Sequence, residues 1–268
     1  MLFDYHLHLE EGPLELEWLE QFYRQACRVG LEEIGFSEHC YRFREAAHIV
    51  ADNPWVLQWV EISVDDYVRL IEAARKKGLQ VKLGIEFDYV EGREGEIARF
   101  LSRYPWDYVI GSVHWINGWG FDVPEQKDRW QEVDVDQVYH DYFRKVIKAA
   151  ESGLFDIMGH LDVVKVFGHR PSCDITGLME EVAQALSRAG VWFELNTAGW
   201  RKPVQETYPS KSFVSILARY GVPVTLSSDA HRPEEVGHGF PEAAEILKKA
   251  GYDSVVRFSK RRAERVKL

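Results

Sequence analysis

The sequence predicts an α/β fold in which seven or eight parallel strands close into a barrel. Short β-rich segments alternate with longer amphipathic segments along the chain, and such alternation implies parallel strands joined by right-handed crossovers. An open dinucleotide-binding sheet would have a GxGxxG motif after its first strand, and no such motif follows the first β-rich segment here. The 268 residues suit one domain, 1–268, because no Pro-, Gly- or Ser-rich linker divides them.

Seven strand–helix units can be counted along the chain. The predicted strands are residues 2–9, 32–37, 80–87, 107–113, 154–158, 191–195 and 223–227. The predicted helices are residues 16–29, 64–77, 95–103, 136–151, 175–189, 210–220 and 241–250. Capping residues support these boundaries, since Ser63 precedes the second helix and Gly78, Gly190 and Gly251 follow helix ends.

Two connections are longer than the others. They are residues 40–62 and residues 115–135, and the second contains the aromatic-rich segment WINGWGF. Long loops on a barrel usually cover its mouth and shape the substrate pocket. We expect that role here, and a plain excursion over the surface is the alternative.

The composition excludes several classes of protein. Hydrophobic residues make up 46% of the chain, which is enough for a full core. The formal net charge of -10 argues against nucleic acid as a partner, because phosphate contacts need a basic face. The three cysteines, Cys27, Cys40 and Cys173, form no disulfide or zinc motif. The N-terminus resembles no signal peptide and no segment reaches ~18 apolar residues, so we expect a cytoplasmic protein with no membrane partner.

The histidines are concentrated at the ends of predicted strands. Six of the ten lie there: His6, His8, His39, His114, His160 and His231. The carboxyl ends of the strands form the active-site face of a β/α barrel. The sequence therefore predicts that these six imidazoles lie together at that face.

Carboxylates occupy the same positions, namely Glu86, Glu194 and Asp229. Several histidines with a few carboxylates are the ligand set of zinc, iron or manganese. The alternation of side chains along a strand places His6 and His8 on one face, where a buried histidine pair is costly without a metal. A satisfied histidine pair and a structural ion pair at Glu86 are the alternatives. Glu194 could contact a metal-bound water or the substrate, or it could equally orient a ligand histidine.

Motifs spread along the chain resemble the PHP (polymerase and histidinol phosphatase) superfamily. They are DYHLHLE at 4–10, GFSEHC at 35–40, GIEFDY at 84–89, GSVHW at 111–115, GHLDVVKVFG at 159–168, ELNTAGWRKP at 194–203, YPS at 208–210 and SSDAH at 227–231. The segments at 159–168, 194–203 and 208–210 resemble the histidinol-phosphatase branch. This resemblance implies a phosphatase that hydrolyses L-histidinol phosphate, a small-molecule phosphate ester, in histidine biosynthesis.

The resemblance also implies a distorted, TIM-like (β/α)7 barrel with two or three divalent metal ions. By that resemblance one metal is held by His6, His8, Glu86 and Asp229, a second by Glu86, His114 and His160, and a third by His39 and His231. Relatives add a histidine from the loop after strand 1, and this chain departs from that pattern with Leu14 at the same spacing. We predict Glu15 as the substitute ligand, and Glu10, Glu11 and Glu17 are its rivals.

The predicted chemistry is attack on phosphorus by water whose pKa is lowered toward ~7 by the metals. Arg201 is the predicted phosphate clamp, because its planar guanidinium matches phosphate oxygens, and Lys202 is second. Asn196 is a further candidate for substrate contact. Either Asp229 or His231 would protonate the leaving oxygen.

Three other functions compete with this one. Another PHP phosphoesterase could act on nucleotides or nucleic-acid ends, although the negative charge disfavours the latter. An amidohydrolase-type enzyme also begins with HxH, but it typically bridges its metals with a carboxylated lysine on strand 4, where this chain has His114. A metal-storing module would hold the same ligands and hydrolyse no phosphate ester.

Overall fold

A seven-stranded parallel sheet lies at the centre of the computed structural model, which describes residues 2–50 and 55–268. In those residues the strands are β1 (Phe3–Leu7), β2 (Glu33–Phe36), β3 (Val81–Asp88), β4 (Tyr108–Ser112), β5 (Trp115–Ile116), β6 (Trp119–Gly120), β7 (Ile157–Met158), β8 (Trp192–Asn196), β9 (Val224–Ser227), β10 (Ser254–Ser259) and β11 (Arg262–Lys267). The central sheet has the order β1-β2-β3-β4-β7-β8-β9. This sequential order is that of a barrel and not of a doubly wound sheet.

Backbone contacts after β9 bring the two edges of the sheet together. The amide of His8 donates to the carbonyl of Ala230 at 2.9 Å, and the amide of Ala230 donates to the carbonyl of His6 at 3.1 Å. These bonds join the end of β1 to the segment that follows β9, so the sheet is a nearly closed barrel. The predicted α/β barrel is confirmed, with seven strands.

The helices lie outside the strands and bury one face each. They are α1 (Leu16–Arg28), α2 (Ala47–Val50), α3 (Val64–Lys76), α4 (Glu94–Leu101), α5 (Val135–Glu151), α6 (Thr176–Ala189), α7 (Lys211–Arg219) and α8 (Phe240–Ala250). In α1 the buried residues Leu19, Phe22 and Ala26 are spaced three and four apart, as expected for a helix with one apolar face. Seven of these helices match predicted ones to within a few residues, and the short α2 was not predicted.

Tyr108 fills the interior of the barrel. Its hydroxyl donates to the carbonyl of Tyr5 at 2.6 Å and lies 3.2 Å from that of Phe36. A Cβ atom at Gly35 or Gly84 would lie 2.3 or 2.2 Å from atoms of this ring. Both glycines are therefore required by the close approach of the ring to the backbone.

A C-terminal hairpin, β10–β11, closes the amino-terminal end of the barrel. Phe258 of β10 packs against Tyr5, Tyr108 and Trp192, with ring centroids 5.2 to 6.3 Å apart. The sequence analysis predicted no element after the helix at residues 241–250, and the structure adds this hairpin. The protein therefore has its mouth at the opposite end, where the strands terminate.

The two long connections lie at that mouth. Residues 115–135 contain the β5–β6 hairpin followed by a 3-10 helix, Pro124–Gln131. Residues 51–54 of the first connection lie outside the described residues. No helix in the described part of the chain is long and apolar enough to span a membrane.

Candidate metal centre

The carboxyl ends of the barrel strands gather the six predicted histidines around two of the predicted carboxylates. Four groups of three residues have ligand atoms within 4.8 Å of one another: His6–His8–Asp229, His6–Glu86–His160, His39–Glu86–His114 and His8–His39–His231. The groups share members, so the cluster is continuous. Six strand ends contribute side chains whose sequence positions span more than 220 residues.

Glu86 of β3 lies at the centre of the cluster. Its Oε2 is 2.7 Å from His39 Nδ1 and 3.3 Å from His6 Nε2. Its Oε1 is 3.0 Å from His160 Nε2 and accepts a hydrogen bond from Ser112 at 2.6 Å. The two oxygens therefore face different histidines, which is the arrangement that a carboxylate bridging two metals requires.

Asp229 occupies the other side of the cluster. Its Oδ1 lies 3.3 Å from His231 Nε2, 3.5 Å from His8 Nε2 and 3.7 Å from His6 Nε2. Its φ of 51° is in the left-handed region that non-glycine residues rarely adopt. Strain of this kind is concentrated at functional sites, where the surrounding structure enforces it.

Three carboxylates hold the far nitrogens of cluster histidines. Glu194 lies 2.9 Å from His6 Nδ1, Asp88 lies 2.7 Å from His114 Nδ1, and Glu10 lies 2.7 Å from His231 Nδ1. A carboxylate on one ring nitrogen fixes the orientation of the ring and directs the other nitrogen at a metal. Of the two roles predicted for Glu194, this contact is the one expected of an orienting residue.

Opposing effects set the protonation of these histidines. Burial lowers the pKa of a histidine, but the charges of Glu194, Asp229 and Glu86 outweigh it and raise the pKa of His6 well above its ordinary value. Nearby carboxylates likewise overcome burial and raise the pKa of His231 to about 10.

The pKa of His8 shifts in the opposite direction from the pKa values of His6 and His231. Burial, reinforced by the neighbouring His39 and His231, lowers the pKa of His8 to about 3. Burial raises the pKa of Glu86, yet the surrounding histidines reverse this effect and hold its pKa well below the usual range. At neutral pH His8 is thus a neutral imidazole and Glu86 an anion, the forms that bind metals.

Several buried ring nitrogens of the cluster have no hydrogen-bond partner among the described residues. They include His6 Nε2, both ring nitrogens of His8 and His160 Nδ1. Buried polar atoms without partners are costly and rare. Divalent cations bound by nitrogen and carboxylate oxygen would remove this cost, and zinc, iron and manganese accept such ligands. The residues present therefore fit a metal centre.

Glu15 lies outside the cluster. It is exposed and immediately precedes α1, whereas Glu10 contacts His231 and lines the cavity above the cluster. The chain leaves β1 and turns at residues 9–12 before α1 begins, so Glu10 points into the mouth and Glu15 away from it. The structure thus brings the rival Glu10 to the site in place of Glu15.

The three predicted substrate contacts differ in position. Lys202 lines the cavity. Arg201 donates from Nη2 to the carbonyls of Ser228 and Asp229 at 2.8 and 3.0 Å, and its Nη1 is buried without a hydrogen-bond partner in the described part of the chain. Asn196 donates to Glu194 at 2.8 Å and to Asp229 at 3.1 Å, so its amide group is used within the protein.

A cavity of about 240 Å³ opens over the cluster. Both long connections line it, the first with Tyr41 and Trp55 and the second with Trp115 and Asp122, as expected for loops at the mouth. Burial raises the pKa of Asp122, and the nearby His114 and His160 oppose this effect. Tyr208 also lines the cavity.

Sequence reasoning did not assign the roles of Asp88, Asp122 and Tyr208. For Asp88 a signal existed, because it follows Glu86 by two residues on one strand and so shares its face. Asp122 follows the aromatic segment of the second connection, where loop conformation cannot be derived from periodicity.

A parallel barrel with a cluster of histidines and carboxylates at its carboxyl end is typical of the class of metal-dependent hydrolases. Within that class, residues 4–198 match the PHP domain model and residues 214–250 match the PHP-associated model. The protein belongs to the PHP domain family. The second match covers most of α7 and all of β9 and α8, which are part of the same barrel.

Curated relatives and a solved structure are similar over nearly the whole chain. A Deinococcus radiodurans protein named "Probable histidinol-phosphatase" is 36% identical over 253 residues, covering 93% of this chain and 94% of the relative. The Bacillus subtilis histidinol-phosphatase is 26% identical, covering 88% of this chain and 96% of that protein. The Lactococcus lactis histidinol phosphate phosphatase, solved with zinc, L-histidinol and phosphate, superposes with a TM-score of 0.77 at 22% identity and 98% coverage of both chains. That similarity establishes the fold.

Proposed function

We propose that this protein is a histidinol-phosphatase, a phosphoric monoester hydrolase that releases phosphate from L-histidinol phosphate. The observation that carries the proposal is the continuous cluster of histidines and carboxylates beneath a small cavity. The 36% identity to a relative of the same name, over 93% of the chain, supports the substrate.

The cofactors in this proposal are two or three divalent metal ions, of zinc, iron or manganese. His6, His8, Glu86 and Asp229 would hold the first, and Glu86, His114 and His160 the second. His39 and His231 would hold the third. When bound, such metals lower the pKa of water toward ~7, which supplies a nucleophile at neutral pH, and they offset charge on the phosphoryl oxygens.

In this proposal Glu10, and not Glu15, is the residue from the loop after β1 that supports the third metal. It contacts His231, and the charges of His39 and His231 hold its pKa low against the effect of burial. A carboxylate in this position can bind the third metal directly or fix the ring of His231. In either case Glu10 supports the third site.

In this proposal the phosphate group is bound by side chains that follow β8 in the sequence. Lys202 offers a positive charge at the cavity wall, and Tyr208 has a hydroxyl with no hydrogen-bond partner there. Arg201 holds the backbone of Ser228 and Asp229 with one nitrogen, which leaves Nη1 as a donor for a phosphate oxygen. Asp229 and His231 are the groups placed to protonate the leaving oxygen.

The test is release of phosphate from L-histidinol phosphate by protein loaded with manganese, iron or zinc, beside a panel of sugar, nucleotide and aryl phosphates. We expect preferred, chelator-sensitive hydrolysis of histidinol phosphate. E86Q should abolish it, whereas E91Q changes an exposed glutamate five positions away and should not. Preference for another ester would overturn the substrate, and no release under any metal would overturn the phosphatase.

A further inference from the structure

The cavity over the cluster is lined by groups suited to both charges. Lys202 and the hydroxyl-bearing Tyr208, which follow β8, suit an anion. Asp122 and the aromatic rings of the two long connections suit a cation. A ligand that fills this cavity should therefore carry both a negative and a positive group.

Asp122 presents a carboxylate whose Oδ1 is buried without a hydrogen-bond partner among the described residues. Its Oδ2 lies 3.9 Å from His114 Nε2, too far for a hydrogen bond. The side chain is partly buried, at 18% exposure, so water cannot fully solvate it. A carboxylate in this state gains free energy by pairing with a cation that enters the cavity.

The segment around Asp122 is held in place. Its neighbours Phe121 and Val123 are buried, and the indole of Trp130 donates to the carbonyl of Phe121 at 2.8 Å. The amide of Gly120 donates to the side chain of Gln126 at 3.0 Å. The carboxylate is thus positioned before a ligand arrives, which lowers the entropic cost of binding.

Aromatic rings form the wall beside it. Trp55 lies 5.6 Å from Trp115 and 6.2 Å from Tyr41, between ring centroids. All three line the cavity. Aromatic faces attract cations and stack on flat rings, so this wall and the carboxylate favour the same kind of group.

We propose that Asp122 and the wall formed by Tyr41, Trp55 and Trp115 bind a cationic group on the leaving alcohol and thereby determine substrate specificity. The inference rests on the proposed function and deepens it, because the ammonium and imidazole of histidinol are groups of this class. The phosphoryl group lies at the metal cluster, and the cation lies beside the cluster, against Asp122 and the aromatic wall.

The test compares D122N with D128N, an exposed aspartate on the same segment. With histidinol phosphate, kcat/KM of D122N should fall about 10- to 100-fold, as for loss of a charge-assisted hydrogen bond. With p-nitrophenyl phosphate, which carries no cation, it should change less than about twofold. Bound metal, measured by mass spectrometry, should be the same in both variants and the wild type.

Several outcomes would overturn the inference. An equal loss on both substrates would indicate a structural or catalytic role, and a loss of metal would make Asp122 a ligand. Wild-type activity of D122N on both substrates would show that Asp122 takes no part in substrate recognition.

A second arm separates this inference from the proposed function. If histidinol phosphate is not the preferred substrate, 3-aminopropyl phosphate and propyl phosphate report the preference for a cation directly. Calorimetry with L-histidinol needs no turnover, and D122N should bind it at least about 10-fold more weakly than D128N does. Equal affinities would overturn the inference whatever the substrate is.

Discussion

His6 and His8 lie two residues apart on β1, and the alternation of side chains along a strand suffices to predict that they share a face. The same rule places Asp88 beside Glu86. No periodicity governs the loop after β1, so residue spacing could not decide between Glu10 and Glu15. The choice depends on where the turn at residues 9–12 directs the chain, which only the structure shows.

A prediction at this scale concerns Glu10. E10Q should weaken the third metal about 10- to 100-fold, the usual effect of losing a residue that orients a ligand. E15Q, the matched change at an exposed position, should leave metal binding unaltered. Metal content after dialysis against graded chelator measures both. Loss of metal in E15Q with full retention in E10Q would reverse the assignment.

Arg201 supports a second prediction. Its Nη2 holds two carbonyls next to Asp229 while Nη1 stays open, and a lysine cannot do both. R201K should lower kcat/KM for phosphate monoesters about 10- to 100-fold, which is the loss of about 1.5–3 kcal/mol expected for a hydrogen bond to a charged group. R219K, at an exposed arginine of α7, is the control. Equal activity of R201K and R219K would contradict the prediction.

At the scale of elements, the seven barrel strands and their helices could be predicted because each has its own periodicity and caps. The hairpin β10–β11 escaped prediction for a physical reason. Its two-residue turn, Lys260 and Arg261, has φ values of 50° and 60°, where hairpins ordinarily place Asn or Gly. Contacts of Arg261 with Asp156 and with the carbonyl of Leu154 secure the turn instead.

The hairpin should contribute to stability and not to catalysis. F258A removes a buried ring that packs against Tyr5, Tyr108 and Trp192 at the closed end of the barrel. The free energy of unfolding should fall by about 3–5 kcal/mol. S259A, at the exposed neighbour, should leave it unchanged. Denaturant titration measures both. A stable F258A with impaired turnover well below its Tm would show that the hairpin acts on the site.

At the scale of the whole molecule, the sequence could not decide whether the barrel has seven or eight strands, because closure depends on how the first and last strands meet. Here the backbone of Ala230 bonds to His6 and His8 along the edge of β1 that does not pair with β2, so no eighth strand is needed. Both bonds involve cluster histidines, and Ala230 directly follows Asp229. The seam of the barrel and the metal cluster are therefore the same region, and metal binding should couple to global stability.

Removing the metals should consequently destabilise the entire barrel. Ligands bound only by the folded state stabilise it by about 4 kcal/mol at a thousandfold excess over Kd. Dialysis against chelator should lower Tm by about 8–16 °C for a chain of this size, and manganese should restore it. E86Q, which removes the carboxylate shared by two ligand groups, should show a smaller shift. If manganese binds stoichiometrically and Tm does not change, the metal does not bind the folded state selectively, and the packing of the core alone holds the seam closed.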